Sequence, residues 1–128
     1  MRILAGTDII EIERIRSSIE RLGQSFLNKI YTKAEIAYCE NRGNKKYESY
    51  AARFAAKEAV SKAFGTGISA EAGLTEIEIQ NNERGKPCIL LHGKARDYYM
   101  EILKGISADI SLAHSDSAAI AFVSILAE

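Results

Sequence analysis

Arg53-Phe54-Ala55-Ala56-Lys57-Glu58-Ala59-Val60-Ser61-Lys62-Ala63-Phe64-Gly65-Thr66-Gly67 is the stretch that decides the fold of this chain. It is rich in Ala, Lys and Glu and stops at a glycine, so it reads as the end of one long helix running from about Lys46 to Phe64. Ala51, Ala52, Ala55 and Ala56 make its middle small enough to pack closely on a sheet. Glu58 and Lys62 are four residues apart, which places both on one helix face with Cβ atoms roughly 6 Å apart. Ser61, three residues from Glu58, borders that face. A carboxylate, a hydroxyl and an ammonium therefore meet just before the backbone-exposing loop Gly65-Thr66-Gly67, a grouping suited to a divalent cation and a phosphate. The plain alternative is a helix-supporting Glu–Lys pair on a solvated face, contributing about 0.2–0.5 kcal/mol.

What separates the two is Asp8. The segment Ile3 to Ile12 is β-branched and apolar, and predicts a mostly buried strand. An aspartate inside it needs a partner or a metal, because burying a lone charge is costly. Asp8 on a strand and Glu58 on a helix form a candidate oxygen-ligand site for Mg²⁺, which takes one or two protein carboxylates together with waters and phosphates.

Around this pair the chain alternates helix and strand signals. Glu11 to Leu22 has helical spacing, with Ile12, Ile15, Ile19 and Leu22 on one side and Arg14, Arg16 and Arg21 off it. A short helix follows through Phe26, Leu27 and Ile30. Thr32 and Glu35 make a capping box for a helix from Lys33 to about Arg42. Leu74 to Gln80 alternates as a half-buried strand, turns through Asn81 to Gly85, and returns from Pro87 to Leu91. Gly93 to Lys104 is helical, with Tyr98 and Tyr99 read as packing on the sheet. Strands are expected at Asp109 to Ala113 and Ala118 to Leu126. The sum is a single α+β domain over residues 1–128, an antiparallel sheet packed against one long helix. The last strand is apolar on both faces, more than a sheet covered on one side needs; a second chain or a second layer would cover it. His114 ends a strand among small hydroxyl residues, as a polar strand end or a phosphate contact, whereas His92 reads as an isolated surface residue.

Composition narrows the function classes. Seventeen basic residues balance 17 acidic ones, so the excess that marks a general nucleic-acid binder is absent. No run of about 18 apolar residues offers a membrane span, and no charged-then-apolar leader precedes the first strand. Cys39 and Cys88 lack metal-site spacing and read as buried or partly buried free thiols, which with the missing leader points to the cytoplasm.

Taken together, these segments resemble the holo-acyl-carrier-protein synthases, the small branch of the 4′-phosphopantetheinyl transferases. The resemblance rests on Gly6-Thr7-Asp8-Ile9, on the helix Arg53 to Ala63 with its Gly65-Thr66-Gly67 loop, on Gly85-Lys86-Pro87, on Ser111-Leu112-Ala113-His114-Ser115, and on Tyr31-Thr32 with Glu35 and Tyr38-Cys39. Ala113 stands where the family often carries a hydroxyl. The resemblance implies a 4′-phosphopantetheinyl transferase-like fold and Mg²⁺-dependent transfer of phosphopantetheine from coenzyme A to a serine of apo-acyl carrier protein, for fatty acid biosynthesis. It implies a metal on Asp8 and Glu58, with Lys62 at the phosphates or the leaving group, and the Gly65–Thr66 backbone and Ser61 nearby. It also implies a coenzyme A site lined by Arg53, Gly85, Lys86, Pro87 and His114, and a homotrimer with active sites between subunits. The base for the carrier serine stays open between Glu58 through a water and Glu35. Carrier proteins are acidic, so Arg14 and Arg21, about two turns apart on the first helix, with Phe26 at the edge, are the candidate docking surface. A module that binds coenzyme A without catalysis, or a plain interaction protein, remains the competing class; neither needs both Asp8 and Glu58.

Overall fold

The computed structural model describes residues 1–128. A three-stranded antiparallel sheet, in the order β1-β5-β4, is formed by β1 (Arg2–Glu11), β4 (Gly105–His114) and β5 (Ala118–Ala127). The chain climbs from β1 into α1 (Ile12–Leu22), α2 (Gln24–Ile30), α3 (Lys33–Glu40) and the long α4 (Lys46–Phe64). A separate hairpin, β2 (Ile77–Asn81) and β3 (Pro87–Leu91), precedes α5 (Gly93–Asp97), which runs on into a π turn, Tyr98–Ile102. The strands thus divide between two sheets, and the α+β class is as expected.

The alanine run of α4 does what its size permits. Ala51, Ala55, Ala56 and Ala59 are wholly buried, and α4 lies across β1 and β5. A Cβ at Gly6 would collide with the Ala59 carbonyl oxygen, so only glycine lets β1 approach the helix this closely. Gly65 ends α4 in the left-handed conformation, its N–H bonding back to Lys62.

Strand alternation then fixes which face each residue serves. Gly6, Asp8 and Ile10 of β1 share the helix-facing side, as do Ala119, Ala121, Val123 and Ile125 of β5. The opposite face carries Ile3 and Ile9, 72% and 64% exposed, with Ile120 and Phe122. The expectation of a mostly buried first strand is therefore corrected: β1 is a sheet edge buried on one side only, and its β-branched residues populate both faces. The apolar outer face of β5 is uncovered within this chain, so no second layer of its own covers it.

Other boundaries moved for local reasons. Leu22 is exposed because it sits at the last residue of α1, where the helix has left the core. Strand β2 begins at Ile77, since Leu74–Glu76 winds into a 3₁₀ turn. Glu78, expected outside, is buried against Gln80 and His92. His92 is accordingly not isolated, with Nε2 at 2.9 Å from Glu78 Oε1. Tyr98 and Tyr99 pack on Phe64 at the end of α4, with ring centroids 5.6 and 6.4 Å away. Cys39 is buried, and burial pushes its thiol up to about 12, but Cys88 is exposed because it lies on the outer side of the hairpin.

Candidate active site

The capping box at Thr32 forms as its sequence spells it, the Thr32 hydroxyl accepting from Glu35 N and Glu35 Oε1 from Thr32 N. The same Glu35 carboxylate turns inward. Its Oε1 accepts from Lys57 Nζ at 2.7 Å and its Oε2 from Ile79 N at 2.8 Å. Lys57 spends its remaining protons on the Leu74 and Ile77 carbonyls, at 2.8 and 2.5 Å, and both side chains are fully buried. Glu35 is thereby removed from the candidates for a catalytic base: both of its oxygens are engaged by donors inside the protein, and its side chain is fully buried. The network ties α3, α4 and β2 into one frame. Burial draws the Lys57 ammonium below its ordinary value against the pull of Glu35.

On the outer face of the frame, one cleft of about 330 Å³ is lined by Asp8, Ile9, Arg14, Phe26, Phe54 and Glu58, among others. The strand places Asp8 toward α4, and the helix places Glu58 opposite. Lys62, one turn on, does not pair with Glu58 as its spacing predicted. Its Nζ reaches across to β1 and donates to Asp8 Oδ1 at 2.9 Å and to the Thr7 carbonyl at 3.1 Å. Asp8 therefore has an ammonium partner, and the cost of burying it no longer demands a metal by itself. The stronger sign is Glu58, whose carboxylate has no hydrogen-bond or ion-pair partner in the chain. Burial first, then the Asp8 carboxylate, push its carboxyl above the usual range, opposed by Lys62. Two carboxylates that repel each other at a cleft mouth, with Asp8 17% exposed, could hold a hard divalent cation and leave its other positions to water and phosphate. No cluster of three or more His, Cys, Asp or Glu side chains is placed to hold a metal.

Ser61 is not part of this cleft. Its hydroxyl bonds back to the Glu58 carbonyl at 2.7 Å and is buried, the usual fate of a mid-helix serine that faces the core. Gly65 and Thr66 lie past the last turn of α4, outside this cleft and the next.

A second cleft, of about 240 Å³, gathers Arg53, Gly85, Pro87 and His114 with Tyr38, Arg42 and Glu48. Arg53 is buried, stacks on the Tyr38 ring at 4.2 Å, and has an Nε with no partner. A buried guanidinium with an idle donor suits an anion. His114 stands exposed at the end of β4, Nε2 3.8 Å from Glu48 Oε2. Lys86 points to the outer face of the sheet instead, where Asp109 Oδ1 accepts from it at 2.6 Å. Arg14 and Phe26 join the carboxylate cleft, whereas Arg21 is exposed at the last turn of α1. Tyr38 and Phe54 entered the sequence reading only inside family-like segments, not as site residues, and Glu48 and Asp109 had no periodic or spacing signal to mark them as such.

Over residues 5–123 the chain matches the family model for the 4′-phosphopantetheinyl transferase superfamily. The chain belongs to that superfamily. This phosphopantetheinyl transferase is 52% identical over 126 residues to the holo-[acyl-carrier-protein] synthase of Ruminiclostridium cellulolyticum, covering 98% of this chain and 92% of that one. With the synthase of Solibacter usitatus it shares 44% over 124 residues, 96% and 97% of the two chains. Among solved structures it is similar to the Helicobacter pylori holo-[acyl-carrier-protein] synthase in complex with coenzyme A, with TM-score 0.84, 32% identity, and 96% and 100% coverage. The Bacillus anthracis enzyme in complex with coenzyme A (3′,5′-ADP) gives 0.80 at 34%, covering 98% and 96%. The phosphopantetheinyl transferase is thus an enzyme, and its α+β architecture is that of those structures.

Proposed function

We propose that this transferase moves the 4′-phosphopantetheine group of coenzyme A to a serine of apo-acyl carrier protein, releasing adenosine 3′,5′-bisphosphate. The observation that carries the proposal is the convergence of Asp8, Glu58 and Lys62 at one cleft bordered by Arg14. The serine oxygen attacks the β-phosphorus, and the bond from that phosphorus to the bridging oxygen breaks. Such transfers are catalysed chiefly by positioning and by neutralising phosphoryl charge. Asp8 and Glu58 would hold Mg²⁺, which when bound would supply positive charge to the diphosphate oxygens. Lys62 neutralises further charge there, and Glu58 takes the serine proton through a water. Arg53, Gly85, Pro87 and His114, with Lys86 beside them, bind coenzyme A. Arg14, Arg21 and Phe26 dock the acidic carrier.

The carboxylate cleft and the Arg53–His114 cleft are separate within one chain. Their separation, with the uncovered Ile3, Ile9, Ile120 and Phe122 face, supports a homotrimer whose active sites form between subunits. Residues 1–128 act as one domain, in the cytoplasm, in support of fatty acid biosynthesis. The test is release of adenosine 3′,5′-bisphosphate by Asp8→Ala and Glu58→Ala, each expected to lose about 10²–10³ in rate while staying folded. Near-wild-type rates in both, with EDTA present, would remove the metal from the proposal.

A further inference from the structure

Lys62 is the only cation bonded to either carboxylate of the cleft, and it is bonded loosely. Its side chain is 52% exposed, and its two protein bonds, to Asp8 Oδ1 at 2.9 Å and the Thr7 carbonyl at 3.1 Å, leave one ammonium proton to solvent. The acceptor it holds is one of the two carboxylates that would hold the metal. Asp8 Oδ1 cannot give its best geometry both to an ammonium and to a divalent ion, and two cations in contact repel. We infer that Lys62 is the resident counter-ion of Asp8 in the free enzyme, that a divalent cation displaces it, and that the released ammonium is what the diphosphate of coenzyme A then receives. The inference rests on the metal-dependent transfer proposed above and adds a thermodynamic link to it.

The link has a definite sign. Without coenzyme A, Lys62 opposes the cation. With the cation seated, Lys62 has lost its carboxylate and is free for a phosphate, so each ligand prepares the site for the other. Binding of cation and coenzyme A is therefore positively coupled through this side chain, and by linkage the coupling is the same whichever ligand is added first. Arginine at this position would keep the charge and the opposition; alanine would abolish both.

The test is Mn²⁺ binding, read from the electron paramagnetic resonance signal of the free ion, with and without coenzyme A and with no carrier protein, so that nothing turns over. Wild type, Lys62→Ala, Lys62→Arg and Asp8→Asn are compared, with circular dichroism as the fold control. Lys62→Ala is expected to bind Mn²⁺ alone about two- to fivefold more tightly than wild type, the range spanned by a partly exposed ion pair. In the same variant the strengthening of Mn²⁺ binding by coenzyme A should fall at least about threefold, within the usual range of couplings. Lys62→Arg should resemble wild type in Mn²⁺ affinity without coenzyme A. Unchanged or weaker Mn²⁺ affinity in Lys62→Ala, or undiminished coupling, overturns the exchange while leaving the metal site standing, provided Asp8→Asn loses Mn²⁺. If Asp8→Asn binds Mn²⁺ as wild type does, or no variant binds it, the metal reading itself falls and the exchange with it.

Discussion

Replacing Lys57 by methionine removes the centre of the buried frame and is expected to destabilise the protein by about 3–5 kcal/mol, the range for breaking a buried ion pair from one side. The structure says where the cost arises. Glu35 keeps two backbone donors, Thr32 N and Ile79 N, but loses its only cation in a site with no solvent. The Leu74 and Ile77 carbonyls lose a donor at the same time. At about 2.1 cal/mol/K per residue, a chain of 128 residues has an unfolding entropy near 0.27 kcal/mol/K, so about 4 kcal/mol lowers the midpoint by about 15 °C. The assay is urea unfolding followed by far-ultraviolet circular dichroism, for Lys57→Met, Glu35→Gln and the two combined, at one protein concentration. The combined variant should cost less than the sum of the singles by about 1–3 kcal/mol, because neither charge is then left alone. A loss below about 1 kcal/mol for Lys57→Met, the level of a surface pair, would refute the frame.

Other expectations follow from the same geometry. The Glu58 carboxyl is raised in the folded state, so folding takes up a proton as pH rises past the unfolded value. The stability that Glu58 contributes at low pH is then lost through its folded pKa, and Glu58→Gln should flatten this part of a thermal-stability profile, on the alkaline side of the ordinary carboxylate value, while abolishing most transfer. Arg14→Glu should raise the apparent Michaelis constant for carrier protein more than Arg21→Glu, because only Arg14 borders the carboxylate cleft, and both effects should shrink as salt is added in steady-state assays. Phe122→Glu puts a charge on the uncovered apolar face and is expected to convert the proposed trimer to monomer in sedimentation equilibrium, with the monomer still folded.

Much of this was legible in the sequence because the signals were local. The capping box at Thr32, the glycine stop at Gly65, the alanine middle of α4 and the return strand opening at Pro87 are each written within a few residues, and each stands where it was read. Asp8 and Glu58 share a cleft for a reason that two local periods supply together, alternation on β1 and helical spacing on α4. What stayed hidden depends on partners distant in the chain. Lys57 looked like one more charge on a helix, yet it meets Glu35, which is 22 residues away, in the core. Lys62 took Asp8, 54 residues away, over the nearer Glu58. Ser61 turned to its own backbone, and Glu78 broke the alternation of its strand by pairing with His92. No spacing rule marks such choices; they are settled only when the sheet, the hairpin and α3 close on α4.

The central claim is tested most directly by mass spectrometry of apo-acyl carrier protein incubated with this enzyme, coenzyme A and Mg²⁺. One phosphopantetheine increment on the carrier serine, lost with EDTA and lost in Asp8→Ala, is the predicted result. An unmodified carrier, under conditions where a known holo-acyl-carrier-protein synthase modifies the same preparation, would contradict it.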